Sequence, residues 1–513
     1  MKDAVIVLIA PPSRSNSQIL PIALIYLAGF LESKGKNVFI VDVKRDPFGP
    51  SDEDSIAKVT EQIIREAVSY RPSLVGLTCF SADYRSVITI AGLIKAQIGA
   101  KIVVGGVHPT LKPEDFIYPA SPVDFVVIGE GEEAINELAD SLGLNSAIKN
   151  VRGLAFLERD KVILTQPRET MDLSVLPMPA YHKINMEYYL KISRVIIRYL
   201  YISGAHIFTS RGCPFSCTFC ANRNIWKMQK QGPAVRYRPT GQVLNEIEFL
   251  KKNYGMDGFY LADDTFAINE SRAINFCEEL ALRNLNVVWA METRVNLVTE
   301  KLLGAAKRAG CIQVEFGVES GSQDALDRMK KGIRVQDTIR AFDLCRKKGL
   351  RTFANILINT PGETEDDLRK TLWLKKRIRA DRASVNITVP FIGSDIYEQY
   401  VSPPLQKDEY YLFEHPQICS KIIDRRFRMA AHNLNLDRLH YKINFLNYLN
   451  TSIELTADPK YWKAILGSKR RSELILVFLK NLRKQIKSYF RFFSAFFTNR
   501  SLRLKLFSAR HKA

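Results

Sequence analysis

The densest chemistry in this chain is a run of three thiols. Eight cysteines occur in 513 residues, and three of them, Cys213, Cys217 and Cys220, fall within eight positions. Their segment reads Gly212-Cys213-Pro214-Phe215-Ser216-Cys217-Thr218-Phe219-Cys220. On a regular helix the three would share one face and be buried structural cysteines. Gly212 and Pro214 both disfavour a helix at that point. A tetrahedral zinc site would need a fourth ligand, and only His206 is near in sequence. Iron–sulfur clusters take thiolates, usually four for a 4Fe-4S cluster, so three leave one iron open to a non-protein ligand. We read the loop as a cluster site, with zinc and structural thiols as its alternatives. The remaining cysteines, at 79, 277, 311, 345 and 419, lie in apolar or helical stretches and read as small hydrophobes.

A rigid frame has to hold such a loop. From about 205 to 390 short apolar strands alternate with helical patterns in six units. The expected strands are His206–Ser210, Gly258–Ala262, Val287–Met291, Gln313–Val318, Thr352–Ile358 and Ser384–Val389. Six units fall short of the eight of a closed barrel, which predicts an open, partial (β/α)6 barrel over 201–395. The cysteines follow its first strand. Residues 1–145 repeat the alternation, with strands expected at Val5–Ala10, Val38–Val43, Leu74–Thr78, Ile102–Gly105 and Phe125–Gly129. Near-continuous apolar strands separated by helices predict an α/β, doubly wound parallel sheet. Ligands of such sheets bind beyond the carboxyl ends of the strands. Here those ends carry Pro11-Pro12, Ser81, Gly105-Gly106-Val107-His108 and Gly129-Glu130-Gly131-Glu132. Residues 146–200 read as a hairpin at 153–166 and a proline-marked linker. Residues 396–460 form an aperiodic extension, and 461–513 a basic helical tail.

Cys-x3-Cys-x2-Cys with an aromatic, Phe219, before the last cysteine, at the end of the first strand of a (β/α)6 array, resembles the radical S-adenosylmethionine (SAM) superfamily. The resemblance spans roughly residues 1–395. It implies a 4Fe-4S cluster on Cys213, Cys217 and Cys220, with SAM chelating the open iron and Phe219 beside it. One-electron transfer from an external flavodoxin- or ferredoxin-like donor then cleaves SAM to methionine and a 5′-deoxyadenosyl radical. Chemistry of this kind belongs to the cofactors, and the protein supplies placement and exclusion. The segment Ala262-Asp263-Asp264-Thr265-Phe266 matches the acidic variant of the segment that receives the SAM amino group. Helix capping by Asp263 or Asp264 is the structural alternative. Arg294 stands where a guanidinium could pair with the SAM carboxylate, an ordinary salt bridge being the alternative. Glu319-Ser320 resembles the ribose-contacting motif, because a carboxylate accepts from vicinal hydroxyls. Asn355 to Thr364, including Ile358, matches the segment that meets the adenine edge, although relatives usually carry glycine where Asn359 stands.

A doubly wound domain ahead of such a barrel resembles the cobalamin (B12)-binding class, which includes the anaerobic magnesium-protoporphyrin monomethyl ester cyclase and hopanoid- or lipid-modifying enzymes. The resemblance assigns Pro12, Thr78, Ser81, Gly105, Gly106, His108, Gly129, Glu130 and Gly131 to the cobalamin pocket. Asp-x-His-x-x-Gly, the pattern that offers cobalt a histidine, is absent, so His108 is expected in the pocket wall rather than on the metal. The family chemistry that follows is methylation of an unactivated carbon, or oxidation, cyclisation or adduct formation without methyl transfer.

Charge separates the remaining classes. The net charge is +20, and residues 461–513 alone hold 14 Lys or Arg against one acid, leaving +7 for the rest. A tRNA-modifying relative would fit that basicity. Relatives of that kind carry three further cysteines in the N-terminal domain, where only Cys79 stands here, so nucleic acid is not the expected partner. Few cysteines, no apolar run near the roughly 18 residues a membrane span needs, and no signal-peptide pattern predict a cytoplasmic protein. In the tail, Ile475, Leu479, Leu482, Ile486, Tyr489, Phe493 and Phe496 repeat at helical spacing opposite basic residues. That helix either packs its stripe on the barrel or lies peripherally on an anionic membrane, which would favour a lipid substrate.

Overall fold

Short runs of Val, Ile and Leu, buried on both faces, form the first sheet. In the computed structural model, which describes residues 5–12, 19–43, 53–144, 148–228, 232–413, 427–436, 438–440, 443–444, 458–477, 479 and 483, these runs are β1 (Val5–Ile9), β2 (Asn37–Val41), β3 (Leu74–Thr78), β4 (Lys101–Gly105) and β5 (Phe125–Val127). All five are parallel, in the order β2-β1-β3-β4-β5. The sheet does not stop at residue 145. The hairpin expected before the linker, β6 (Leu154–Glu158) and β7 (Lys161–Leu164), adds two antiparallel strands at the β5 edge. Its Leu154, Ala155 and Phe156 are buried, so the hairpin belongs to the sheet.

The second sheet contains β8 (Gly204–Ile207), β11 (Gly258–Leu261), β12 (Val288–Thr293), β13 (Cys311–Glu319), β14 (Arg351–Ile358) and β15 (Arg382–Ile387), all parallel and in chain order. Six units therefore form as expected, in an open sheet. The first strand ends three residues earlier than expected. Asp263 accepts hydrogen bonds from Thr209 N and from Ser210 N and Oγ, which draws the backbone away from the sheet. Residues 210–211 become β9 (Ser210–Arg211), antiparallel to β10 (Arg236–Tyr237). Among the described residues no helix is long and apolar enough to cross a membrane.

The helix Ile22–Ser33 shows how the two sheets are joined. Eight consecutive residues, Leu24 to Leu31, are buried, as a helix that is apolar all round must be. It lies within one continuous core that runs from the first sheet to the second. At its centre Tyr26 and Tyr181 donate to Glu246, which pairs with Arg238 (2.6 Å). The opposite face of the first sheet is covered from far along the chain. Val389, Ile392, Tyr397, Leu405, Tyr410 and Phe413 join the core of β1, β3 and β4 there. Residues 397–413 of the aperiodic extension thus cover the N-terminal sheet. Helix Pro459–Leu466, at the start of the basic tail, packs Tyr461, Ala464 and Ile465 onto β11 and β12 residues.

Candidate functional site

The cysteine loop is shaped by a glycine. Gly212 has φ +100°, and a Cβ there would collide with the Ala234 carbonyl oxygen. Its N–H donates to Asp264 Oδ2 (3.1 Å), and further along Thr218 N donates to Met329 O (2.9 Å). Cys213 and Cys217 are half-buried and Cys220 is exposed, all as free thiols. Among the described residues no three His, Cys, Asp or Glu side chains are already gathered as a metal cage. The donor set nevertheless fits a cluster: three soft thiols on one loop, at an open edge.

The strand-end residues separate into those that face this loop and those engaged elsewhere. Asp263 is buried under Thr209 and Ser210, and burial pushes its carboxyl above the usual range against those hydrogen bonds. It is a bracket for the β8 end. Asp264 faces the cavity and is the acid in position to meet an ammonium group. Arg294 is buried against the loop itself, its guanidinium 3.6 Å from the Phe215 ring centre and its Nη1 3.6 Å from Cys217 Sγ. Glu319, at φ +60° after a register shift in β13, accepts from Lys331 Nζ (2.7 Å). Lys331 also lies over Phe219 (5.7 Å). Ser320 is engaged with Thr371 Oγ1 (2.9 Å), and Ile358 is fully buried at the end of β14.

Asn359 explains its own departure from glycine. Its φ is +63°, a conformation asparagine tolerates better than other side chains. Its amide accepts from Met429 N (2.9 Å) and Ala430 N and donates to Phe427 O (3.0 Å). His432 adds a contact to Glu363 (3.0 Å). The side chain thus fastens the segment 427–432 across the fifth-strand motif.

Deeper on the same face of the second sheet lies a polar layer, since residues i and i−2 of a strand point the same way. Glu292 accepts from Tyr260 OH (3.1 Å), and Glu315 pairs with Arg198 (3.2 Å) and accepts from Gln313 (2.9 Å). Burial holds the Glu315 carboxyl up at about 7, with the Arg198 cation opposing and Glu292 adding to the shift.

Between the carboxyl ends of the first sheet and the cysteine loop lies a cavity of about 590 Å³. Thr78, Gly105, Gly106, Gly129, Glu130 and Gly131 line it, with Leu20, Leu24, Phe208 and Trp226 among its apolar walls, and it reaches Asp264. Its size is that of a cofactor pocket. Glycine turns and apolar walls fit a bulky macrocycle, and no histidine is among the lining residues. Three expected wall residues lie elsewhere: Pro12, Ser81 and His108 are not in the lining. His108 is fully buried behind it, bonded to Asp115 (2.9 Å) and packed on Tyr84, Phe116 and Tyr410.

Glu130 is also engaged. It accepts from Arg211 (2.6 Å) and from Arg236 (2.9 Å), while Arg211 reaches Glu132 (2.6 Å). This network joins the Gly129–Glu132 turn to β9, directly before the cysteines, and to β10, beyond them. Arg211, Arg236 and Lys331 were missed by sequence reasoning. Their partners lie 81, 106 and 12 residues away, and no local spacing signals them.

These features define an enzyme with a SAM-type cluster loop facing a macrocycle pocket, and comparison with known proteins agrees. The radical SAM superfamily profile matches residues 207–373, and the B12 binding domain profile matches 13–139. An uncharacterised methyltransferase of Pyrococcus horikoshii is 30% identical over 78% of this chain and 84% of its own length. The anaerobic magnesium-protoporphyrin IX monomethyl ester cyclase of Rubrivivax gelatinosus is 28% identical over 87% of this chain and 77% of its own. The radical SAM methyltransferase TsrM of Kitasatospora setae shares the fold, with TM-score 0.64 at 22% identity, over 78% of this chain and 77% of that one. The chain belongs to the radical SAM superfamily, in the group that carries a B12-binding domain. Its cofactors are a 4Fe-4S cluster, SAM and cobalamin.

Proposed function

We propose that this enzyme methylates an unactivated carbon of a hydrophobic, lipid-like substrate. The observation that carries the reading is the apolar cavity that runs from the glycine turns of the first sheet to Asp264 at the cluster loop. When bound, the cluster and SAM supply a carbon-centred radical and cobalamin supplies a methyl group. The chain's own contribution is placement. Cys213, Cys217 and Cys220 hold the cluster, Asp264 receives the SAM ammonium group, Glu319 with Lys331 meets the ribose, and Gly105, Gly106, Gly129 and Gly131 let the macrocycle approach the backbone. Electrons come from a flavodoxin- or ferredoxin-like donor. Incubating reconstituted enzyme with dithionite, methyl-deuterated SAM and a lipid extract tests the reading, with deuteromethyl incorporation expected. Formation of 5′-deoxyadenosine with a dehydrogenated or cyclised product and no label would replace it by cyclase-like chemistry. The length of chain shared with the cyclase favours that second reading.

The tail supports a peripheral position on an anionic membrane. The stripe members Leu482, Ile486, Tyr489, Phe493 and Phe496 lie outside the described residues. Its first members, Ile475 and Leu479, are 52% and 53% exposed. Each basic residue near an anionic surface adds about 1 kcal/mol. Co-sedimentation with anionic vesicles should be lost in a chain ending at residue 468. Equal, salt-insensitive partitioning of both chains would return the stripe to packing within the protein.

A further inference from the structure

Arg294 is a buried cation in an unusual position. It is 4% exposed, and no carboxylate among the described residues lies within ion-pair distance of it. Glu319 is already paired with Lys331, the residue whose carbonyl Arg294 holds. A buried cation without an anion is costly, so the site as folded calls for a negative partner. Three contacts fix where that partner must be. The guanidinium rests on the Phe215 ring at 3.6 Å, Nη2 donates to the Lys331 carbonyl, and Nη1 points at Cys217 Sγ, 3.6 Å away. Gly332, at φ +65° and 3.5 Å from Nη2 at its Cβ position, lets the Lys331 turn close over the group. The Thr218 N–H bond to Met329 O locks the same turn onto the cysteine loop. Only Nε is left without a partner.

We propose that Arg294 is the charge partner of the Cys217 thiolate and sets the reduction potential of the cluster through an N–H···S bond. Hydrogen bonds to ligand sulfur and nearby positive charge favour the more reduced, more negative state of an iron–sulfur cluster. Arg294 supplies both, from a side chain whose orientation the Phe215 ring and the Lys331 carbonyl fix. It is a positioning residue acting through Cys217, and this role rests on the cluster reading above. Pairing with the SAM carboxylate would leave the potential of the SAM-free cluster untouched, and that separates the two roles.

The test is an EPR-monitored redox titration of the reconstituted, SAM-free protein, alongside SAM affinity by equilibrium dialysis. Arg294→Met should shift the midpoint potential to more negative values, and Arg294→Lys should shift it less, since a cation remains but the fork and the stacking are lost. Phe215→Leu keeps the guanidinium but frees its orientation, and should shift the potential in the same direction by the smallest amount. It also covers the case in which the Arg294 variants fail to assemble a cluster. Iron and sulfide content separates outcomes: no cluster in the parent protein would overturn the cluster reading itself. Unchanged potentials in all variants that carry a cluster, with SAM affinity alone reduced, would overturn the proposal and assign Arg294 to SAM.

Discussion

The two ends of the cavity are built by opposite means. At the cluster end side chains do the holding: Asp264 binds the Gly212 amide, Arg294 covers Cys217, and Lys331 neutralises Glu319. At the corrinoid end the surface is mostly backbone and apolar wall, and the carboxylates of the Gly129–Glu132 turn that reach it are already paired with Arg211 and Arg236. A carboxylate in a glycine-rich turn is therefore no guide to what the turn binds. The difference follows from the ligands. A small zwitterion such as SAM is recognised by complementary charge, whereas a large macrocycle needs close backbone approach and dry walls.

The sharpest test of the cluster end is removal of its thiols. Replacing any one of Cys213, Cys217 and Cys220 by alanine should abolish 5′-deoxyadenosine formation after anaerobic reconstitution, while hydroxocobalamin still binds. Full cleavage by the triple variant would dissolve the distinction between the two ends altogether.

At the other end, Glu130→Gln should act on stability before it acts on the ligand. Arg236 is buried and the Glu130 side chain is only 9% exposed, and removing one partner of a buried pair costs about 3–5 kcal/mol. Urea unfolding should show it as an earlier midpoint. An unchanged midpoint with lost cobalamin binding would mean that the Glu130 carboxylate faces the corrinoid after all. Gly106→Ala is a milder probe. Gly106 has φ +111°, and a Cβ there would lie 3.0 Å from the Cys79 carbonyl oxygen. Strain of about 1–3 kcal/mol should appear as weaker hydroxocobalamin binding. Gly131→Ala, whose Cβ would make ordinary contacts with Ile135 Cδ1 at 3.6 Å and Leu27 Cδ2 at 4.0 Å, should leave the stability unchanged.

Both sheets were legible in the sequence because parallel strands buried on two faces must be continuous apolar runs, and β3, for example, begins and ends where its Leu-Val-Gly-Leu-Thr run does. The cysteine loop was legible because its chemistry is local. What sequence could not show is partnership at long range. His108 looked like a pocket residue because it follows Gly105-Gly106, yet Asp115 and Tyr410 claim it, the latter from an extension with no readable period. Asp263 and Asp264 are indistinguishable as neighbours, and only the turn at Thr209 decides which one is free to face the cavity. Asn359 stood out as a departure from glycine, but its partners at 427–430 could be found only in three dimensions.

The last expected effect lies beneath the cluster end, where a side chain is buried without full charge compensation. Glu315 is completely buried beside Glu292, with the partly exposed Arg198 as its ion-pair partner, and its carboxyl is held up at about 7. In the unfolded chain the same group titrates in the ordinary glutamate range, near 4.5. Between those two values the folded protein keeps a proton that the unfolded chain releases. Unfolding then sheds a proton, so stability should fall as pH rises through this window and level off above 7. Below about 4.5 both states are protonated, and the contribution of this group to stability is fully present. Glu315→Gln keeps the hydrogen bond to Gln313 possible and removes the titration, so its urea midpoint should lose that part of the slope and exceed the parent's at pH 8. A parent slope that persists unchanged in the glutamine variant would show that Arg198 already holds Glu315 ionised. The cluster end would then be compensated throughout, as the corrinoid end is by Arg211 and Arg236.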